Sequence, residues 1–262
     1  MDNGKGRGRG ILSLYEGLII AFAMYSRIPV PQVEWTDAGL KYALCFFPLT
    51  GVVIGAAEVG FFWLAKRIGL GDMARVCIGT AIPLLVTGGI HMDGFLDVTD
   101  ARSSCQPPEK RLQIMKDPHA GAFAILKCGL YLLVYLAAFS ELGEKAFPAM
   151  GGIYVLERAL SGWSVVSLPK AKTDGLASTF ARGAQKQTVQ AAMLLWAAAA
   201  AGYLLRAGGL RAGMSATAAA FLVFFWYCRM ARREFGGITG DLAGYFLQLC
   251  ELGMLGALAV VL

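Results

Sequence analysis

The chain has 262 residues, of which 56% are hydrophobic and only 16% are charged. Soluble domains carry about 25% charged residues, so this composition excludes a soluble globular domain. The net charge of +6 comes without the interleaved basic and aromatic residues that indicate a nucleic-acid-binding surface. The apolar runs are long enough to cross a membrane as helices and lack the alternation of a transmembrane β-barrel. We predict an all-α, polytopic membrane bundle organised as a single domain over residues 1–262.

The chain begins with a basic segment, residues 1–10, which we expect to form a cytoplasmic tail. Residues 11–26 are apolar but short for a span, because about 20 residues are needed to cross the hydrocarbon core. We expect this segment to lie in the interface or to re-enter the membrane. Pro29 and Pro31 each hold the preceding residue in an extended conformation, so a helix over residues 11–26 is expected to end before them.

Seven further apolar runs have the length of membrane spans. They lie at residues 43–65, 74–91, 121–140, 148–168, 189–205, 214–230 and 243–262. Within the first run, Gly51 and Gly55 form a small-x-x-x-small spacing that permits close packing against another helix. The predicted fold is therefore a bundle of about seven transmembrane helices with an N-terminal interfacial or re-entrant helix.

The lysines and arginines between these runs indicate the orientation of the bundle. Sixteen of the 24 lie in the N-terminal tail and in residues 27–42, 92–120, 169–188 and 229–242, whereas six lie in the alternate connections. Cytoplasmic connections of membrane proteins carry the excess of positive charge. We therefore expect these four segments to lie together on the cytoplasmic side.

An acidic stretch at residues 88–100 follows the second apolar run. Asp93, Asp97 and Asp100 are spaced so that a helix of about 3.6 residues per turn places all three on one face. Three carboxylates this close repel each other unless a cation lies between them, and oxygen ligands suit a hard divalent cation, Mg²⁺ or Mn²⁺. Solvated acids at a helix end are the alternative interpretation. Gly94 is expected to let a substrate group approach this helix.

Two further polar segments fall on the same predicted side. Residues 114–121 contain Lys116 and Asp117, and the following proline holds Asp117 extended, where its carboxylate can cap the next helix or reach a metal. Residues 170–183, which include Lys172, combine cations, hydroxyls and glycines as a phosphate-holding loop does. A solvated positive loop is the alternative for this second segment.

A third polar segment, residues 232–241, leads into the last apolar run. It contains Arg233, Thr239 and Asp241 among several glycines. Glycines, a hydroxyl and a carboxylate at a helix N-terminus form an arrangement that binds anions or metals. The alternative is that Asp241 is a simple N-cap.

The run at residues 148–168 contains Glu157 and Arg158, and the last run contains Glu251. Charges inside a span are unfavourable unless they are paired or face a polar cavity. Adjacent residues on a helix point in different directions, so Glu157 and Arg158 are expected to pair only awkwardly. We expect Arg158 to reach a phosphate or one of the acidic residues instead.

Metal-binding carboxylates beside arginines and glycine-rich segments are suited to phosphoryl-group transfer. The sequence has no Walker loop and no G-x-S-x-G nucleophile, which favours direct displacement on a phosphoanhydride. The membrane location implies an amphiphilic or lipid-anchored substrate. One rival is a CDP-alcohol-type phospholipid phosphotransferase, whose D-G-x-x-A-R pattern is not matched. Another is a cation- or proton-coupled transporter, for which the sequence shows no convincing inverted repeat.

Five stretches, in their order and spacing, resemble the cobalamin synthase family, the adenosylcobinamide-GDP ribazoletransferases. They are SRIPVP at 26–31, FPLTG at 47–51, TGGIHMDGFLD at 87–97, IMKD at 114–117 and GGITGD at 236–241, together with Glu251. The resemblance runs from about residue 12 to the C-terminus. Three positions depart from the family's usual pattern: Ala101 and Ala124 stand in place of glycines, and Glu157 in place of a serine.

The resemblance implies a reaction, a cofactor and partners. The 3′-hydroxyl of α-ribazole, or of its 5′-phosphate, attacks the cobinamide-bound phosphate of adenosylcobinamide-GDP, so that GMP leaves and adenosylcobalamin or its 5′-phosphate forms. The reaction requires Mg²⁺. The resemblance also implies a multi-pass protein of the bacterial or archaeal cytoplasmic membrane, surrounded by lipid and without nucleic acid. Homo-oligomerisation and association with other cobalamin-assembly enzymes stay open.

These patterns give a set of candidate site residues. We assign the metal to Asp93, Asp97 and Asp100, with Asp117 or Asp241 completing its ligands. Asp100 is the candidate general base, and Asp97 and Arg158 are the other catalytic candidates. The candidate substrate contacts are Arg27, His91, Lys116, Arg158, Lys172, Arg233 and Thr239.

Overall fold

The computed structural model describes residues 3–143, 146–172 and 175–261. The helices are α1 (Asn3–Tyr25), α2 (Asp37–Ala43), α3 (Phe47–Arg67), α4 (Asp72–Thr87), α5 (Ile90–Ser103), α6 (Pro108–Ile114), α7 (Ala122–Ser140), α8 (Phe147–Ser167), α9 (Leu176–Gly183), α10 (Lys186–Ala207), α11 (Gly209–Phe235) and α12 (Gly240–Val261).

The predicted all-α fold is confirmed for these residues, since the only strand-like pairing among them is one bridge between Lys170 and Ile238. Local sequence explains several helix starts. Pro48 and Pro148 stand in the first turns of α3 and α8, where a missing N–H is tolerated. Thr36 caps α2, because its hydroxyl oxygen accepts a first-turn N–H at 3.1 Å.

The exact number of spans, predicted as about seven, stays a prediction. Within the described residues, five stretches are long and apolar enough to cross a membrane: Asp37–Arg67, α7, α10, α11 and α12. A sixth is added only if α4 and α5 cross together as one broken span. The apolar part of α1, Gly10–Tyr25, is too short to count, and its interfacial or re-entrant position stays a prediction.

The run predicted at residues 74–91 is broken by two glycines. Gly88 and Gly89 have φ angles of 65° and 79°, a conformation that glycine adopts without a Cβ penalty. They end α4 at Thr87 and turn the chain, so that α5 leaves at 93° to α4. We therefore treat α5, which carries the acidic stretch, as lying across the end of the bundle and outside the five spanning helices.

The run predicted at residues 148–168 is α8, and most of its residues are buried. Gly51 and Gly55 let α3 approach it closely, as predicted. A Cβ at Gly51 would lie 2.3 Å from the Tyr154 carbonyl oxygen, and one at Gly55 would lie 2.4 Å from the Gly151 Cα. Because neighbouring helices cover it, α8 can carry polar residues that a lipid-exposed span would exclude.

The four segments predicted to share one side meet at one end of the bundle. The Gln185 N–H donates to the Lys41 carbonyl oxygen at 3.1 Å. Arg111 pairs with Glu234 at 2.7 Å, and the bridge between Lys170 and Ile238 joins the other connections. This end of the bundle is where the candidate site forms.

Candidate active site

The predicted helix over the acidic stretch is confirmed as α5. Asp93, Asp97 and Asp100 therefore lie on one face, at successive turns. Asp93 is exposed, whereas Asp97 and Asp100 are half-buried. The helix runs on to Ser103, as expected with Ala101 rather than glycine at this position, because alanine has the stronger helix propensity.

The N-terminal half of α5 packs directly on the start of α12. A Cβ on Gly94 would lie 2.7 Å from the Asp241 carbonyl oxygen and 2.9 Å from its Cα. The expectation that Gly94 admits a substrate group is therefore wrong, because the α12 backbone fills that space. The same contact places Asp241 beside the acidic face of α5, which extends the carboxylate cluster across two helices.

Asp241 lies in the first turn of α12, but its side chain does not cap the helix. The Leu242 N–H donates to the Thr239 hydroxyl oxygen at 3.1 Å, so Thr239 is the residue that caps the helix. The alternative that Asp241 is a simple N-cap is excluded. A carboxylate in the first turn is favoured by the helix dipole, which helps to hold its charge at this position.

The Lys172 segment is held against the start of α12. The Ala171 N–H donates to the Ile238 carbonyl oxygen at 3.0 Å. This approach requires glycine at position 237, since a Cβ on Gly237 would lie 2.6 Å from the Ala171 nitrogen. The Ser178 hydroxyl also donates to the Lys172 carbonyl oxygen at 2.7 Å, which fixes the backbone of Lys172.

The predicted phosphate-holding loop at residues 170–183 is only partly a loop. Residues 176–183 form α9, while Thr173 and Asp174 lie outside the described residues. Lys172, Gly175, Ala177 and Ser178 are the residues of this segment that line the cavity described below, and Lys172 is the charged one among them. Its role as a phosphate contact stays a prediction.

These elements enclose a cavity of about 360 Å³ at the end of the bundle. Its rim is polar and its floor is buried and largely apolar. The predicted site residues that line it are His91, Asp93, Lys172, Thr239 and Asp241. The structure therefore brings together predicted residues from three separate segments, as the charge pattern indicated.

Burial and like charge both act on the carboxylates at this end of the bundle. Partial burial, followed by the negative charges of Asp93, Asp241 and Asp100, raises the pKa of the Asp97 carboxyl to about 6. The Lys172 ammonium opposes this rise. Three other carboxylates thus act on Asp97, and this surplus of negative charge favours a further cation at this site.

The donor atoms of this cluster are of the kind that a magnesium site requires. Carboxylate oxygens are the hard ligands that Mg²⁺ prefers. In the described part of the chain, however, no three histidine, cysteine, aspartate or glutamate side chains are grouped closely enough to hold a metal ion. Mg²⁺ is usually bound by one or two carboxylates together with water and substrate phosphates, so the donor chemistry fits while a complete protein cage is absent among these residues.

Asp100 lies at the far end of the acidic face, away from the residues that line the cavity. Its carboxylate packs against Gly121, which precedes the first turn of α7. A Cβ on Gly121 would lie 2.1 Å from the Asp100 Oδ1 atom. The assignment of Asp100 as general base stays a prediction, and the position of its carboxylate depends on this glycine.

Replacing Gly121 with alanine is expected to displace the Asp100 carboxylate without unfolding the protein. Gly121 has an extended backbone that alanine adopts freely, so only the short Asp100 side chain must move. Activity should fall about tenfold, which is the loss typical when a residue that supports a metal ligand is disturbed. The Mg²⁺ concentration needed for half-maximal activity should rise. Gly129→Ala on the same helix, where a Cβ meets nothing within 4 Å, is the matched control. If activity depended on the Mg²⁺ concentration in the same way in both variants, this would count against a metal role for Asp100.

Arg158 is buried in the core and pairs with Glu157, contrary to the expectation that adjacent residues pair only awkwardly. Its long side chain folds back on α8, donating to the Thr50 hydroxyl and to the Tyr154 carbonyl oxygen, both at 3.1 Å. These bonds hold the Nε and Nη1 groups of the guanidinium in the core. Arg158 is absent from the cavity lining, and its guanidinium lies over the Phe47 ring, 5.9 Å from the centroid.

Asp117 neither caps α7 nor lines the cavity. Its carboxylate accepts the His119 backbone N–H at 2.9 Å and contacts the His119 ring, which together hold the pKa of this exposed carboxyl below its usual value. Lys116 and Arg233 are exposed and are likewise absent from the cavity lining. Arg27 packs beside the glycine turn between α4 and α5, where a Cβ on Gly88 would meet its side chain at 2.5 Å.

One charged cluster at this end of the bundle was missed by the sequence analysis. Arg102 makes two bonds to the Glu234 carboxylate, at 2.9 and 3.0 Å, and Arg111 makes a third at 2.7 Å. These contacts tie the end of α5 to α6 and α11. The partners are more than 120 residues apart in sequence, as in the separation of 132 between Arg102 and Glu234, so no local spacing could reveal them.

The chain is similar in sequence to known proteins over nearly its whole length. The family model described as cobalamin-5-phosphate synthase matches residues 17–259. A protein of Lachnoclostridium phytofermentans named adenosylcobinamide-GDP ribazoletransferase is 46% identical over 94% of this chain and 93% of its own length. Proteins with the same name from Ralstonia nicotianae and Clostridium perfringens are 33% and 30% identical over at least 90% of this chain.

No solved structure matches the chain. The family model nevertheless spans nearly the whole sequence, including every segment that forms the cavity. The resemblance inferred from five short motifs is thereby confirmed. The chain belongs to the cobalamin-5-phosphate synthase family.

Proposed function

We propose that this chain joins adenosylcobinamide-GDP to α-ribazole or its 5′-phosphate, in a reaction that depends on Mg²⁺. The names of the relatives support the two substrates. The observation that carries the proposal is the polar-rimmed cavity beside four mutually repelling aspartates, at one end of a membrane bundle. Such a rim suits the phosphates of a diphosphate substrate only when a cation accompanies them.

In the proposed reaction a ribose hydroxyl oxygen forms a bond to the cobinamide-bound phosphorus. The anhydride bond from this phosphorus to GMP breaks, and GMP leaves with that bridging oxygen. The proton of the hydroxyl passes to a carboxylate, for which Asp93, exposed at the rim of the cavity, is a second candidate beside Asp100. Lys172, which also lines the cavity, contacts the phosphates.

We assign the Mg²⁺ to the acidic rim, where one or two of Asp93, Asp97 and Asp241 would hold it together with water and substrate phosphates, with Asp100 at the margin of the site. When bound, Mg²⁺ supplies positive charge to the phosphate oxygens. The protein's own contribution is to hold the carboxylates on two helices that touch backbone to backbone. This rigidity fixes the rim before the substrates arrive, which reduces the reorganisation needed for reaction.

We further propose that the site faces the cytoplasm. The excess of lysines and arginines in the segments that surround the cavity supports this orientation. A cytoplasmic site is reached directly by water-soluble α-ribazole, while the membrane holds the protein. Homo-oligomers and complexes with other cobalamin-assembly enzymes stay predictions.

Purified protein in detergent tests the proposed activity. With adenosylcobinamide-GDP, α-ribazole and Mg²⁺, we expect GMP and adenosylcobalamin in equal amounts, and no product when EDTA replaces Mg²⁺. Release of CMP from a CDP-alcohol with diacylglycerol-type acceptors would instead support a phospholipid phosphotransferase. Failure to release GMP in detergent, with cation uptake in sealed vesicles, would support a transporter.

A further inference from the structure

We propose that the floor of the cavity binds the base of α-ribazole, while the corrinoid stays outside the rim. This inference rests on the proposed function and adds the placement of the two substrates. It follows from the size of the cavity, the chemistry of its floor and one unpartnered polar atom. Each observation is independent of the acidic face.

The size of the cavity separates the two substrates. Pockets of about 300 Å³ and above hold drug-sized ligands, and a nucleoside falls in that class. The cavity of about 360 Å³ therefore has room for a nucleoside. A corrin macrocycle with its side chains and adenosyl ligand is several times larger. Only its phosphate-bearing arm can reach the rim.

The floor of the cavity is an aromatic wall, made of Tyr25, Phe47 and His91. The ring centroids of Tyr25 and Phe47 are 4.2 Å apart, and that of His91 lies 6.2 Å from Phe47. Aliphatic side chains, among them Val165 and Leu247, complete the floor. A flat, largely apolar bicyclic ring is the ligand that such a surface packs best.

The polar groups of the floor discriminate between the two bases that the reaction offers. Among the described side chains that line the cavity, His91 alone has a buried polar atom without a partner, the ring nitrogen Nε2. The benzimidazole of α-ribazole has one free ring nitrogen, which can pair with the Nε2 of His91. It also has two methyl groups, which can pack against the apolar side chains of the floor. Guanine would bury several N–H donors, and the carboxylates that could accept them lie at the rim.

This placement also directs the ribose of α-ribazole toward the carboxylates of the rim. His91 and Asp93 lie in the first turn of α5, so a base against His91 brings its ribose to the carboxylates at the rim. The hydroxyl nucleophile then meets the phosphate at the boundary between floor and rim. The leaving GMP remains on the outer side, where it can depart without passing the bound nucleoside.

The test is a pair of substitutions read separately for each substrate. Ala243 lines the floor, and Ala243→Leu should fill it and raise the KM for α-ribazole about tenfold, since small-to-large changes in packed sites are poorly tolerated. The KM for adenosylcobinamide-GDP should stay within about twofold. Ala198→Leu, the same change at an exposed position on α10, is the matched control.

His91→Phe is the second variant, because it keeps the ring and removes the nitrogen. Equilibrium dialysis of labelled α-ribazole, without corrinoid, should show about tenfold weaker binding to this variant and retained binding to His91→Gln, which keeps an N–H donor. Excess dimethylbenzimidazole should compete, and GMP should not. If both floor variants raise the KM for adenosylcobinamide-GDP instead, the floor holds the guanosine and the placement is wrong. If the wild type releases no GMP, the proposed function fails as well.

Discussion

Asp97→Asn is expected to abolish GMP release, with a fall of at least about 10²-fold, while the protein still inserts into the membrane. Asparagine has the same shape as aspartate, so the packing of α5 is preserved. It lacks the negative charge through which Asp97 interacts with the other three carboxylates and with Lys172. Asp93→Asn should behave in the same way, because both residues belong to the proposed metal site. GMP release by purified protein at saturating Mg²⁺ measures the effect.

Thermal unfolding gives a second readout for the Asp97 variant. Burial and neighbouring charges disfavour the ionised form of Asp97, so the neutral amide should raise the stability of the metal-free protein. Mg²⁺ should raise the unfolding temperature of the wild type, because a ligand that binds the folded state stabilises it, and it should not raise that of Asp97→Asn. The control is Asp72→Asn, an exposed carboxylate that pairs with Arg75 at the other end of α4. Wild-type turnover by Asp97→Asn at saturating Mg²⁺ would remove the metal assignment.

Gly94→Ala is expected to damage both folding and activity. The added Cβ would meet the Asp241 backbone at 2.7 Å, and a backbone atom cannot rotate away as a side chain can. We expect α5 and α12 to separate, with a loss of about 1–3 kcal/mol in the free energy of unfolding. Displacing the acidic face by even about 1 Å should lower activity about 10²-fold.

The matched control for Gly94→Ala is Gly60→Ala in the middle of α3, where a Cβ meets nothing within 4 Å. Alanine is the better helix former, so this control should gain up to about 1 kcal/mol and keep its activity. Thermal unfolding and GMP release of the two variants are compared in the same detergent. If Gly94→Ala were as stable and active as the control, direct contact between α5 and α12 would not hold the site.

The chemistry of the rim could be predicted from sequence because it depends on residue type and spacing. Asp93, Asp97 and Asp100 share a helix face whatever surrounds them, since the helical period alone aligns them. The positive charge of the connections likewise indicated which segments meet. Lys172, Thr239 and Asp241 were found by this route, and the structure places all three on one cavity.

Other predictions were wrong because they depend on the neighbours of a helix. Glu157 and Arg158 were expected to pair only awkwardly, but inside the buried helix α8 the two side chains pair with each other. Gly94 reads as an opening, but α12 fills it. In each case the local sequence is consistent with two environments, and packing selects one of them.

The sequence by itself determined that this chain is a helical membrane protein with an acidic helix, and it was sufficient to indicate the family. Hydrophobicity, helical period and motif order can be obtained from the sequence without knowing how the helices pack. Only the tertiary structure decided that α5 turns across the bundle and that an aromatic floor lies below the acidic rim. It also joined Arg102 to Glu234, because contacts between residues far apart in sequence depend on how the helices pack and leave no periodic signal in the chain.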